Sequence, residues 1–119
     1  MAPMNQHTIA FDFDGVIHSY IQPWIAEDII PDLPVKGIKE VIDQLRSLGY
    51  RIVIISARAF NDKGKNAISN YLKKYEIIVD DITNIKIPAM CYIDDRCICF
   101  NGNTNGLVNA IRNFTPWNR

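Results

Sequence analysis

Three short stretches concentrate residues able to do chemistry. The first is Asp12-Phe13-Asp14-Gly15, the second Ser56-Ala57-Arg58, and the third Asp94-Asp95-Arg96. Each directly follows an apolar run: Ile9-Ala10-Phe11, Ile52-Val53-Ile54-Ile55, and Cys91-Tyr92-Ile93. Four carboxylates gathered at one place cannot all ionise unless a cation compensates them or some stay protonated. A hard divalent ion with oxygen ligands is the simplest solution. Mg²⁺ suits it, because this ion takes one or two carboxylates and leaves water and phosphate oxygens to complete its shell. Aspartates are also common turn residues, and either pair alone reads equally well as a turn. Both pairs, each immediately behind a buried strand, favour the metal.

Those residues share a site only if the strands lie side by side. Continuous apolar strands alternating with amphipathic helices predict a parallel sheet covered on both faces, an α/β, three-layer, doubly wound fold. In such sheets ligands bind beyond the carboxyl ends of the strands, at the switch point of the strand order. Strands are expected over 7–13, 50–55, 77–79, 90–93 and 97–100. Helices are expected over 37–48, where Ile38, Val41, Ile42, Leu45 and Leu48 recur at helical spacing, and from Asn61 or Asp62 to about Tyr75. A last helix opens at Thr104 and runs through Phe114. The proline-bearing segment 16–34 reads as a long loop or small flap.

The bulk numbers set outer limits. At 119 residues one domain is expected over the whole chain. Thirteen basic residues balance thirteen acidic ones, so no global charge draws the protein to nucleic acid. Residues 1–6 are short and polar without a signal-peptide pattern, and no apolar run approaches a membrane span. A cytoplasmic protein with no membrane contact and no obligate protein partner is expected. The three cysteines, Cys91, Cys97 and Cys99, read as reduced packing residues rather than zinc ligands.

The start Asp-Phe-Asp-Gly-Val-Ile at 12–17 and the ending Ile-Asp-Asp-Arg at 93–96 resemble the haloacid-dehalogenase superfamily of phosphohydrolases. They are most similar to its small capless members, common in phage and bacterial genomes. The resemblance runs from Ile9 to about Gly102, and it implies a Mg²⁺-dependent phosphomonoester hydrolase. In that reading Asp12 is the nucleophile, and a carboxylate needs no activating base at neutral pH. Asp14 is the general acid and then the base. In an extended segment both would point the same way, with Phe13 in the core. Gly15 lets the chain turn sharply, and Asp94 and Asp95 join Asp12 and Asp14 in holding Mg²⁺. Ser56 donates to the phosphoryl group. Lys86 is the phosphate-stabilising lysine, with Lys63 and Lys65 as rivals. Arg58 is expected to bind substrate, with Gly15 beside it, and Arg96 to pair with a site carboxylate. No inserted cap fits between the motifs, which implies an open site. The Asp-Asp-Arg ending is also similar to the phosphatase part of polynucleotide kinase-phosphatases, so a small phosphorylated molecule, a nucleotide or a nucleic-acid end is the implied substrate. A non-catalytic protein that keeps the fold for regulation is the competing expectation, and loss of Asp12 or Asp14 would be its signature.

Overall fold

The computed structural model describes residues 7–119; the polar N-terminal stretch 1–6 lies outside the described residues. Four strands form one parallel sheet: β1 (Thr8–Asp12), β2 (Arg51–Ile55), β3 (Asp81–Thr83) and β4 (Cys91–Ile93), in the order β3-β2-β1-β4. The chain therefore builds outward from β1 through β2 to β3, then returns to the other side of β1. That reversal is the switch point, and it falls between β1 and β4. The register sets Asp12 opposite Ile55 and Phe11 opposite Ile93, so the residues after β1, β2 and β4 emerge at one edge.

Helices α1 (Ile38–Ser47) and α2 (Asp62–Lys74) supply the covering layers, giving the α/β, Rossmann-like three-layer arrangement expected. From α1, Ile42 is fully buried while Ile38 and Leu45 pack partly against the core. Val41 and Leu48, expected to face inward, are exposed, which leaves a narrower apolar stripe. Asn61 caps α2, its side-chain oxygen accepting from the Gly64 amide at 2.9 Å. Ile68, Tyr71 and Leu72 of α2 join Ile9, Phe11, Phe13, Ile17, Ile52 and Ile54 in the main core. Gly64 is buried so close to the backbone of Arg58 that a Cβ there would overlap its carbonyl oxygen, so the position requires glycine.

Several expected elements are corrected. The third strand lies at Asp81–Thr83 rather than at 77–79. Ile77 is instead a buried core residue of the preceding loop. Asp80 marks the entry to β3: its carboxylate accepts from the Ile52 amide and from Arg46, both at 2.7 Å. No strand forms at 97–100. There Asp94 turns the chain away, its side chain accepting from the Arg96 amide at 2.9 Å and its carbonyl meeting the Cys97 thiol at 3.3 Å. The last helix, α3, spans only Leu107–Arg112, starts behind Gly106 rather than at Thr104, and buries none of its residues. All three cysteines are exposed, so core packing is not what they do.

Candidate active site

Asp12 ends the central strand and Asp94-Asp95 follow the edge strand next to it. Oxygens of these three carboxylates lie within 4.8 Å of one another. Burial, first of all, then the neighbouring charge of Asp94 and a hydrogen bond with Asp95, push the Asp12 carboxyl from 3.8 up to about 8. Asp12 thus resists ionisation until something positive arrives. Asp95 points the same way: its Oδ1 is buried without a hydrogen-bond partner. A buried carboxylate oxygen with no donor is costly, and a cation would satisfy it. The donor set is all hard oxygen, so the residues present fit a Mg²⁺-type ion.

Gly15 makes this approach geometrically possible. Its φ of +86° lies in the left-handed region, and a Cβ there would overlap the Asp95 carboxylate. Its amide donates to the His18 carbonyl at 2.7 Å and its carbonyl accepts from Trp117 Nε1 at 2.7 Å. Both backbone groups of Gly15 are therefore spent within the protein, and its lack of a side chain admits Asp95.

Asp14 stands apart from the cluster, contrary to its expected place among the metal ligands. β1 ends at Asp12 and the chain turns at once, so the alternation of a strand no longer holds. Phe13 does enter the core, at 0% exposure. The Asp14 carboxylate, however, accepts from His18 Nδ1 at 2.8 Å and from Arg58 Nε at 2.7 Å. His18 is completely buried, stacked on Phe13 and edge-on to Tyr71. Its Nε2 accepts the Asp32 amide at 3.1 Å, which leaves the proton of a neutral ring on Nδ1, facing Asp14.

Arg58 is also corrected. Expected to reach for substrate, it is 1% exposed. Besides Asp14, its Nη1 donates to the carbonyls of Ala26, Glu27 and Ile29 at 2.8, 3.2 and 3.0 Å, and its guanidinium lies 4.3 Å from the Trp24 ring centroid. One side chain thereby ties the flap to the second motif and to Asp14. Such a fork of donors suits carbonyl-rich turns as well as phosphates.

A cleft of about 360 Å³ opens beside Asp12, lined also by Ile55, Ala57, Lys86, Tyr92 and Asp94. Of the candidate lysines, Lys86 lies here, its Nζ 5.4 Å from the Tyr92 ring centroid. Lys63 pairs with Asp28 at 3.7 Å, and Lys65 lines a separate cleft beside β3. Ser56 is buried, and its Oγ accepts from the Arg58 amide at 3.1 Å, which leaves its own proton to donate. Arg96 is exposed, and no carboxylate pairs with its guanidinium among the described residues. In the sequence Asp32 and Trp117 carry no signal, and His18 reads as a polar loop residue near the active edge rather than a ligand. The four-residue spacing from Asp14 to His18 was the one available signal.

The chain matches no family model and no curated protein. Two solved structures share its fold. A conserved protein from Bacteroides thetaiotaomicron superposes with a TM-score of 0.60 and 21% identity over 91% of each chain. A chain of the Pnkp1/Rnl/Hen1 complex superposes with a TM-score of 0.53 and 15% identity, over 95% of this chain and 36% of that one. At these identities the likeness is one of fold. No described helix is long and apolar enough to cross a membrane.

Proposed function

We propose that the protein is a Mg²⁺-dependent phosphomonoester hydrolase that works through an aspartyl-phosphate on Asp12. The observation that carries this reading is the carboxylate cluster at the switch point. Asp12 opens onto a cleft with Lys86 and stands against Asp94 and Asp95, one of which holds a buried oxygen without a donor. The fold shared with a chain of the Pnkp1/Rnl/Hen1 complex is compatible with it.

When bound, the ion supplies positive charge that offsets the mutual repulsion of the carboxylates and draws an anionic phosphate to them. Asp12, Asp94 and Asp95 would hold it. An Asp12 oxygen attacks phosphorus, and the bond from phosphorus to the ester oxygen breaks. That oxygen takes a proton from Asp14, which must carry one at this step and so has first given up one of the two bonds it accepts. A water molecule then gives a proton back to Asp14 and attacks the same phosphorus, releasing inorganic phosphate and restoring the Asp12 carboxylate. Lys86 and the Ser56 hydroxyl stabilise charge on the transferring oxygens.

The pairing of Asp14 adds a condition. With both oxygens accepting from His18 and Arg58, Asp14 meets the leaving oxygen only by exchanging one of these bonds. Where the bond from Arg58 is the one exchanged, the guanidinium that also holds the flap carbonyls has to turn, which links the exchange to the flap. Substrates in this reading are small phosphomonoesters, nucleotides or terminal phosphates of nucleic acid.

The test is hydrolysis of an aryl phosphate with and without Mg²⁺ by the wild type and by Asp12→Asn. Metal-dependent turnover that vanishes in the variant is expected. Turnover that survives Asp12→Asn would reject the mechanism.

A further inference from the structure

Trp117 is 60% exposed, yet its indole N–H is fixed to the Gly15 carbonyl across 102 residues of sequence. The rest of the tail is fixed too. The Asn118 side-chain amide donates to the carbonyls of Ser19 and Tyr20, each at 3.0 Å, and the Arg119 guanidinium lies 4.6 Å from the Tyr20 ring centroid. All of these contacts fall on the loop that leaves the nucleophile strand. Apolar burial does not account for the position of Trp117, since most of the ring stays in solvent. An aromatic ring held by its polar edge, with the rest of its surface left in water, is preorganised to stack on another aromatic system.

The place of that ring matters. Gly15, which anchors it, abuts Asp95 of the carboxylate cluster. Between β1 and β2 lie the flap and α1, and between β2 and β4 lie a short helical turn at Ala57–Phe60, α2 and β3. The tail is the segment that presents an exposed aromatic ring anchored at this turn.

We infer that the C-terminal tail reads the substrate, and that Trp117 is the surface on which a nucleobase of the phosphomonoester stacks. The inference rests on the phosphohydrolase reading above and narrows it to base-bearing substrates. Stacking of one base on an aromatic side chain tolerates any base and typically changes affinity by about tenfold or more.

The experiment compares the wild type, Trp117→Ala and Trp117→Phe in Mg²⁺ on a nucleoside monophosphate, a short oligonucleotide with a terminal phosphate, and glycerol phosphate. Trp117→Ala is expected to raise KM for a base-bearing substrate about tenfold, with a several-fold smaller effect on glycerol phosphate. Trp117→Phe keeps a ring but loses the N–H that fixes it, and is expected to recover part of the loss. Whether the loss falls on the mononucleotide or on the oligonucleotide identifies the source of the base. Equal losses on all three substrates would reduce Trp117 to an anchor for Gly15 and overturn the inference, as would no change. If the wild type hydrolyses none of them, the phosphohydrolase reading fails separately, and fluorescence decides the platform. The chain has two tryptophans, Trp24 and Trp117. Saturable quenching by the nucleoside monophosphate that disappears in Trp117→Phe supports stacking. Absence of quenching in the wild type overturns it.

Discussion

Asp12 should make the metal-free protein lose stability as the pH rises. Its carboxyl is moved from 3.8 to about 8 in the folded state, chiefly by burial and by the charge of Asp94. A raised carboxylate pKa contributes its full stability below about pH 4, where both states are protonated. That contribution is lost progressively towards pH 8, as the unfolded chain ionises and the folded one resists. At about 1.4 kcal/mol per pH unit the interval would amount to roughly 6 kcal/mol. A carboxylate at the mouth of a cleft is partly hydrated, so about 2–3 kcal/mol is a realistic share. Asp12→Asn cannot ionise and lacks this slope. Thermal melts in a chelator from pH 5 to 8.5 should therefore show the variant gaining about 8–12 °C on the wild type across the range, at roughly 4 °C per kcal/mol. Saturating Mg²⁺ at pH 8 should raise the wild-type melting temperature and leave the variant nearly unmoved, since binding to the native state alone stabilises by mass action. Parallel pH profiles, or equal stabilisation of both proteins by Mg²⁺, would refute the reasoning.

Gly15→Ala should drive a methyl group into the Asp95 carboxylate from a left-handed backbone; about a tenfold rise in the Mg²⁺ concentration needed for half-maximal thermal stabilisation is expected, with roughly 1–2 kcal/mol of stability lost. Gly64→Ala meets the Arg58 backbone instead, so urea unfolding should show a loss of about 3 kcal/mol without a selective change in metal response. Asp80, whose carboxyl is held below its ordinary value although partial burial opposes this, by bonds from the Ile52 amide and Arg46, contributes stability above about pH 4 and loses it on further acidification. Asp80→Asn should accordingly flatten the acid limb of the stability curve by under about 1 kcal/mol, because the pair is solvent-exposed.

The central strands and the long helices were legible because each is specified locally. Ile52 to Ile55 can be satisfied only between two covering layers, and the α2 stripe from Ile68 to Leu72 repeats at helical spacing. The acidic cluster followed from the same signal, since Asp12 and Asp94 each close an apolar run. What failed depended on distant partners. The apolar spacing from Leu107 to Phe114 predicts a packed helix, yet α3 buries none of its residues, and Leu107, Ile111 and Phe114 only line an open cleft beside Cys97 and Ile98. Arg58 reads as a free guanidinium beside a serine, and the flap carbonyls that bury it come from an irregular segment with no periodic signature. Trp117 is likewise set by a contact across 102 residues that no window of sequence contains, whereas His18 is held by nearby Asp14 and Asp32 with no periodic pattern to announce it.

The placement of the acidic residues unites two parts of very different mechanical firmness. Asp12 terminates a strand paired on both sides and buried along nearly its whole length, whereas Asp94 and Asp95 hang from a short strand with a single neighbour. Edge segments of this kind open on their own, well before global unfolding. A cation shared between them would act as a staple across that weak seam. Amide hydrogens of Cys91 to Ile93 would then exchange more slowly with ion present, while those of the central strand would hardly notice.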